Sequence, residues 1–259
     1  MNLKTTRLGP IVLHTAGLGP SIVFLHGTNS DGRSAFGQIL DRFTKHFCVN
    51  VPDFAGCGLS VMAPGEMSLD TLIAQAREIL ERSQPPVVLA GHSLGAVVAA
   101  AAATASVYPE LVGKLVLVSG WANGANRYHK LVFETWAALE RDHPRLATRF
   151  GLLLAMGPGL NKLGEERVNG IIEGGSQKML LERIQLDRTV DIQSYLKKIT
   201  IPTLVVGASL DYLVPSYQSR RIHDLIRGSE YVEIESSHSV FREQPDKIST
   251  LIESFIAKN

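Results

Sequence analysis

At 259 residues, 45% of them hydrophobic and 20% charged, the chain suits one large α/β domain or two small ones, with a substantial core. A formal net charge of +1 gives no electrostatic case for nucleic acid or an anionic membrane as partner. Two cysteines, Cys48 and Cys57, make no disulfide framework and have no metal-ligand spacing, which fits a reducing compartment.

The opening stretch MNLKTTRLGPIVLHTAG lacks the continuous apolar core of a signal peptide, and no run reaches transmembrane length, so the expectation is a cytoplasmic protein. Residues 3–8 and 10–15 read as two short strands joined near Gly9-Pro10. Residues 21–25 form an apolar strand that ends at the polar loop His26-Gly27-Thr28-Asn29. Ser34 is placed to cap a helix whose Phe36, Ile39, Leu40 and Phe43 share one face; a strand over 47–51 follows. Asp53 to Ser60 is a Gly-rich loop, and Ser68 opens a helix with Leu69, Leu72, Ile73, Ala76 and Leu80 inward.

The densest signal spans residues 86–106. An apolar strand, Val87-Val88-Leu89, follows the Pro85-Pro86 breaker and runs into Gly91-His92-Ser93-Leu94-Gly95, after which residues 96–105 are an alanine-rich helix. A serine between two glycines on a strand-to-helix turn sits in strained backbone with its hydroxyl thrust outward, at a helix end that favours negative charge. Residues 115–118 form the next strand. From 121 to 190 only helical patterns occur, punctuated by Gly157-Pro158-Gly159 and Gly174-Gly175; this predicts a helical insertion. Strand and helix then alternate again over 202–207, 215–227 and 231–235, and the last helix carries the stripe Ile248, Leu251, Ile252, Phe255 and Ile256, with Pro245 in its first turn. The alternation predicts an α/β fold with a mainly parallel eight-stranded sheet and helices on both faces, built from 1–120 and 191–259 and covered by a helical cap over 121–190.

In parallel sheets ligands bind beyond the carboxyl ends of the strands. Four reactive positions fall there: the His26-Gly27-Thr28 loop, Ser93, Asp211 and His238. With the G-x-S-x-G turn, the D-x-x-G-x-G-x-S loop from Asp53, the G-x-x-x-D-x-x-V-P segment from Gly207 and Glu243-x-Pro245, the chain resembles the α/β-hydrolase superfamily along nearly its whole length. The resemblance implies a triad of Ser93 as nucleophile, His238 as general base and acid, and Asp211 as its orienting carboxylate, with the backbone N–H groups of Thr28 and Leu94 as oxyanion donors. Two departures stand out: Ser237 precedes the histidine where relatives usually have glycine, and Thr28-Asn29 follow His26-Gly27 where bulkier apolar residues are common.

Bland roles go to the remaining candidates. His26 is expected to buttress its loop and His92 to orient or pack. His14, His46, His129, His143 and His223 are read as surface or structural, Asp53 as loop-shaping, and Cys57 as incidental. Asp187 and Asp191 are rival acids, set aside because they precede a strand, on the wrong edge of the sheet. Trp121, Phe133, Trp136, Phe150, Met156 and Phe241 are the pocket candidates, Trp121 foremost because it follows a strand end.

The expected activity is cleavage of a small, largely apolar ester, lactone, thioester or activated carbonyl through an acyl-enzyme, in the manner of carboxylesterases and enol-lactone or aminoacrylate hydrolases. The resemblance leaves open carbon-carbon bond hydrolysis, lyase or cyclase use of the same triad, and a slow or non-catalytic small-molecule receptor. It implies no metal and no organic cofactor. The partner is a small-molecule substrate, and the oligomeric state is not legible.

Overall fold

A computed structural model describes residues 3–62, 67–105 and 109–258; Ser106, the last residue of the elbow stretch, lies outside them. The chain order is β1 (Lys4–Leu8), β2 (Ile11–Ala16), β3 (Ser21–Leu25), α1 (Gly32–Phe36), α2 (Leu40–Phe43), β4 (Cys48–Asp53), α3 (Leu69–Arg82), β5 (Val87–His92), α4 (Leu94–Ala105) and β6 (Val112–Val118). Four helices follow without an intervening strand: α5 (Arg127–Asp142), α6 (Pro144–Met156), α7 (Glu165–Gly174) and α8 (Leu180–Thr189). A short α9 (Gln193–Leu196) leads to β7 (Thr203–Ala208), α10 (Ser216–Leu225), β8 (Glu230–Ile234), α11 (Val240–Glu243) and α12 (Pro245–Ala257).

The eight strands form one sheet in the order β1-β2-β4-β3-β5-β6-β7-β8, antiparallel at β1-β2-β4 and parallel from β4 onward. Side chains alternate between faces, so each buried strand feeds two cores. Val23, Leu25, Leu89, Leu115 and Leu117 face α3 and α4. Ile22, Phe24, Val88, Val116 and Val118 face α1, α2 and α12. A strand buried on both faces needs apolar residues throughout, which is why these strands read as unbroken hydrophobic runs.

Two local expectations change. The helix after the β3 loop is capped by Asp31, not Ser34: the Asp31 carboxylate accepts from the Ser34 N–H while the Ser34 hydroxyl accepts from the Asp31 N–H, a reciprocal capping box. The predicted single helix is two short ones, yet Phe36, Ile39, Leu40 and Phe43 are all buried in the second core as their spacing required. Ser68 does cap α3, accepting from the Thr71 N–H.

Candidate active site

β5 runs directly into Ser93, and α4 leaves it at the next residue. Ser93 has φ 58°, a left-handed conformation that costs a residue with a Cβ about 1–3 kcal/mol. Its N–H donates to Val118 O at 2.9 Å, tying the turn to β6. The flanking glycines have a steric cause: a Cβ at Gly91 would lie 2.2 Å from Gly95 O, and one at Gly95 would lie 2.0 Å from Leu25 O. Only hydrogen at both positions lets β3, β5 and α4 meet this closely.

Asp211 stands between β7 and α10. Its Oδ1 accepts the N–H groups of Leu213 (2.9 Å) and Val214 (2.7 Å), which fixes the carboxylate and leaves Oδ2 for His238 Nδ1 at 2.7 Å. His238 lies just past β8 and is held from two sides. The Nε2–H of His92 donates to its carbonyl at 2.8 Å, and Glu243 accepts from the Ser236 hydroxyl (3.0 Å) and the Ser237 N–H (2.9 Å). Burial, with the neighbouring His238 charge, lowers the His92 pKa to about 3, so its ring stays neutral. Ser237 is not among the described residues with positive φ, so the loop accepts serine without strain.

Behind the turn, His26 donates from Nδ1 to Gly27 O at 2.9 Å and accepts the Phe54 N–H at Nε2, 3.0 Å. That pattern needs the neutral ring, and burial lowers its pKa to about 4. Gly27 then passes so close to the elbow that an added Cβ would sit 3.3 Å from Ser93 Oγ. No turn, loop or cap hydrogen bond of the described backbone engages the N–H of Thr28 or of Leu94.

Ser93, His238 and Thr28 open on one cavity of about 400 Å³. Phe133, Trp136, Met156 and Phe241 supply apolar wall, and Asn29, Gln177 and Arg242 a more polar part. Trp121 and Phe150 do not line it. Trp121 is fully buried, its ring packed 5.3 Å from His129 and 6.1 Å from Phe133, and Phe150 packs part-buried against the larger core. Burial pushes the Cys57 thiol up to about 12, so it stays protonated at neutral pH. Among the described residues no cluster of histidine, cysteine and acidic side chains forms a metal site.

A sequence profile described as the alpha/beta hydrolase family matches residues 22–251. The chain belongs to this family. Within it, the pyrrolizixenacetamide deacetylase of Xenorhabdus hominickii is 30% identical over 246 residues, covering 93% of this chain and 92% of that protein. The pimeloyl-(acyl-carrier protein) methyl ester esterase of Vibrio vulnificus strain CMCP6 is 28% identical over 254 residues, covering 94% and 97%. Among solved structures, a bromoperoxidase from Bacillus anthracis superposes with a TM-score of 0.87 at 19% identity, covering 99% of this chain and 100% of that one, a likeness of fold.

In this α/β hydrolase two residues beside the site escape sequence reasoning, Asp187 because it is set aside as a rival acid on the wrong edge of the sheet and Arg183 because it is not singled out. Asp187 is not at a sheet edge: α8 carries it over the strand ends, fully buried, where its Oδ2 accepts the Thr28 hydroxyl at 2.6 Å. Arg183, one turn earlier and 1% exposed, donates from Nε to Thr28 O at 2.8 Å and from Nη1 to Ala55 O at 3.3 Å. Burial raises the Asp187 pKa to about 7, against the opposing pull of the Thr28 hydroxyl and the Arg183 charge. His129, also buried, donates from Nε2 to Asp187 O at 2.8 Å and links α5 to α8. A signal existed: Leu180, Arg183, Ile184 and Asp187 are spaced as one buried helix face, with two opposite charges inside it.

Proposed function

We propose that the chain is a serine hydrolase of ester-like bonds that works through an acyl-enzyme on Ser93. The observation that carries this is the 2.7 Å bond from Asp211 to His238, whose side chain lines the same cavity as Ser93 on its strained turn. With Nδ1 bound to Asp211, the imidazole offers Nε2 as the base, and Asp211 stabilises the imidazolium that forms. Nε2 takes the Ser93 proton as Oγ attacks the substrate carbonyl carbon; the same proton then passes to the leaving group as its bond to that carbon breaks. Water, deprotonated by His238, attacks the acyl carbon in turn, and Ser93 regains its proton as the acid departs.

The tetrahedral oxyanion is received by the N–H groups of Thr28 and Leu94, the second at the N-terminus of α4, each of which stabilises the transition state by roughly 2–4 kcal/mol. Catalytic hydrogen bonds are often long before substrate binds, so the serine-imidazole contact is expected to close in the complex. The apolar wall suits a small hydrophobic acyl or alkyl portion, and the named relatives, a deacetylase and a methyl ester esterase, favour short-chain esters and acetamides as first substrates. This fits a small-molecule partner, and no described helix is long and apolar enough to cross a membrane.

The test is labelling by a fluorophosphonate together with turnover of p-nitrophenyl esters and an N-acetyl amide. Ser93→Ala is expected to abolish labelling and to lower kcat by at least about 10³-fold. Undiminished turnover in that variant rejects the mechanism, and stoichiometric binding without turnover in the wild type assigns a receptor instead.

A further inference from the structure

Thr28 has three polar groups near the elbow, and the helical insertion holds two of them. Its hydroxyl donates to Asp187 and its carbonyl accepts from Arg183, both in the protein interior and both from α8. Arg183 also grips Ala55 O in the neighbouring Gly-rich loop and Lys178 O just ahead of α8, so the guanidinium bridges three segments through carbonyls alone. Among the described residues, no backbone hydrogen bond engages the third group, the amide N–H. A residue held at both its carbonyl and its side chain has its Cα fixed in place and orientation, which leaves the N–H on that Cα little freedom to swing, and oxyanion donors work by being fixed before charge develops.

We propose that Asp187 and Arg183 are positioning residues that clamp Thr28 from the cap, so that α8 sets the direction of the Thr28 N–H toward the reacting carbonyl. The inference rests on the acyl-enzyme reading above, in which that N–H is an oxyanion donor. It makes the insertion a part of the catalytic machinery as well as a lid over the pocket: a substrate that shifts α8 also shifts the oxyanion donor.

Buried carboxylates commonly serve stability alone, so the test separates placement from folding. Asp187→Leu and Thr28→Val each delete the 2.6 Å bond from one end; Asp187→Asn and Thr28→Ser retain an acceptor and a donor. The readouts are kcat and KM for a p-nitrophenyl ester and Ki for a trifluoromethyl ketone, whose hemiketal oxyanion occupies the donor site while its ground-state contacts resemble the substrate's. Asp187→Leu and Thr28→Val are expected to lower kcat roughly ten- to a hundredfold with KM within about twofold, and to raise Ki by the same factor as kcat falls. The double variant should be no worse than the poorer single one, and Asp187→Asn and Thr28→Ser should stay within about threefold of wild type. Should Asp187→Leu fail to fold, Thr28→Val carries the comparison, since it is close to isosteric.

Folded Thr28→Val or Asp187→Leu protein with wild-type kcat and Ki overturns the clamp, as does a loss confined to KM. If Ser93→Ala is inactive while these variants are normal, the clamp alone fails. If Ser93→Ala retains full turnover, both readings fail.

Discussion

Two neutral histidines, His26 and His92, hold the site without doing its chemistry, and their neutrality has a measurable consequence. His26 is fully buried and its pKa is lowered from 6.5 to about 4. The unfolded chain therefore takes up a proton at this residue near pH 6.5, while the folded one resists until about pH 4. The resulting stability is complete above pH 6.5 and is lost as pH falls through 6.5 toward 4, amounting to roughly 3 kcal/mol at 1.36 kcal/mol per unit. His26→Gln, which can donate to Gly27 O and accept from the Phe54 N–H, is expected to reduce the slope of urea-measured stability between pH 6.5 and 4, the remainder coming from groups such as His92. An unchanged slope would show that His26 is not the residue that titrates. His14, read as surface or structural, belongs to the same class of buried fixtures: it bonds Asp53 at 3.1 Å and Thr5 at 3.1 Å.

At the scale of elements, the site depends on how tightly β3, β5 and α4 are drawn together. Gly95 is the tightest point, because its missing side chain would strike the Leu25 carbonyl. Gly95→Ala has no flexible neighbour to displace, so α4 or β3 must move; we expect a loss of at least about 3 kcal/mol in denaturant unfolding and little soluble enzyme. A folded Gly95→Ala protein with normal turnover would show that the elbow tolerates a wider gap. The same pattern of residues was readable in advance, since G-x-S-x-G between an apolar strand and an alanine-rich helix requires a close crossing. The start of α1 was not. Asp31 and Ser34 both cap helices well, and only the backbone course after β3 decides which of them stands first.

Across the whole molecule, the strand ends bring residues 28, 93 and 238 to one cavity, with Asp211 behind His238, while the helices between β6 and β7 supply much of the cavity wall. Trp136 contributes bulk there. Trp136→Ala should widen the acyl region, so that kcat/KM for p-nitrophenyl esters shifts toward longer chains by about threefold to fourfold per added methylene over the range that fits. Unaltered chain-length preference would place the acyl group elsewhere in the cavity.

By itself the sequence determined the α/β class and put Asp211 and His238 at strand ends, because hydrophobic period, breaker residues and strand-end position are local properties with few topological solutions; the pairing of the two came from the resemblance to the α/β hydrolases, and the structure places them 2.7 Å apart. It did not determine what the insertion does. Trp121 follows a strand end yet turns into the core, and Asp187 precedes β7 in the chain yet lies beside the loop after β3. Contacts between residues 159 positions apart are set by how helices without strand partners pack, and that packing was decided only when the tertiary structure closed.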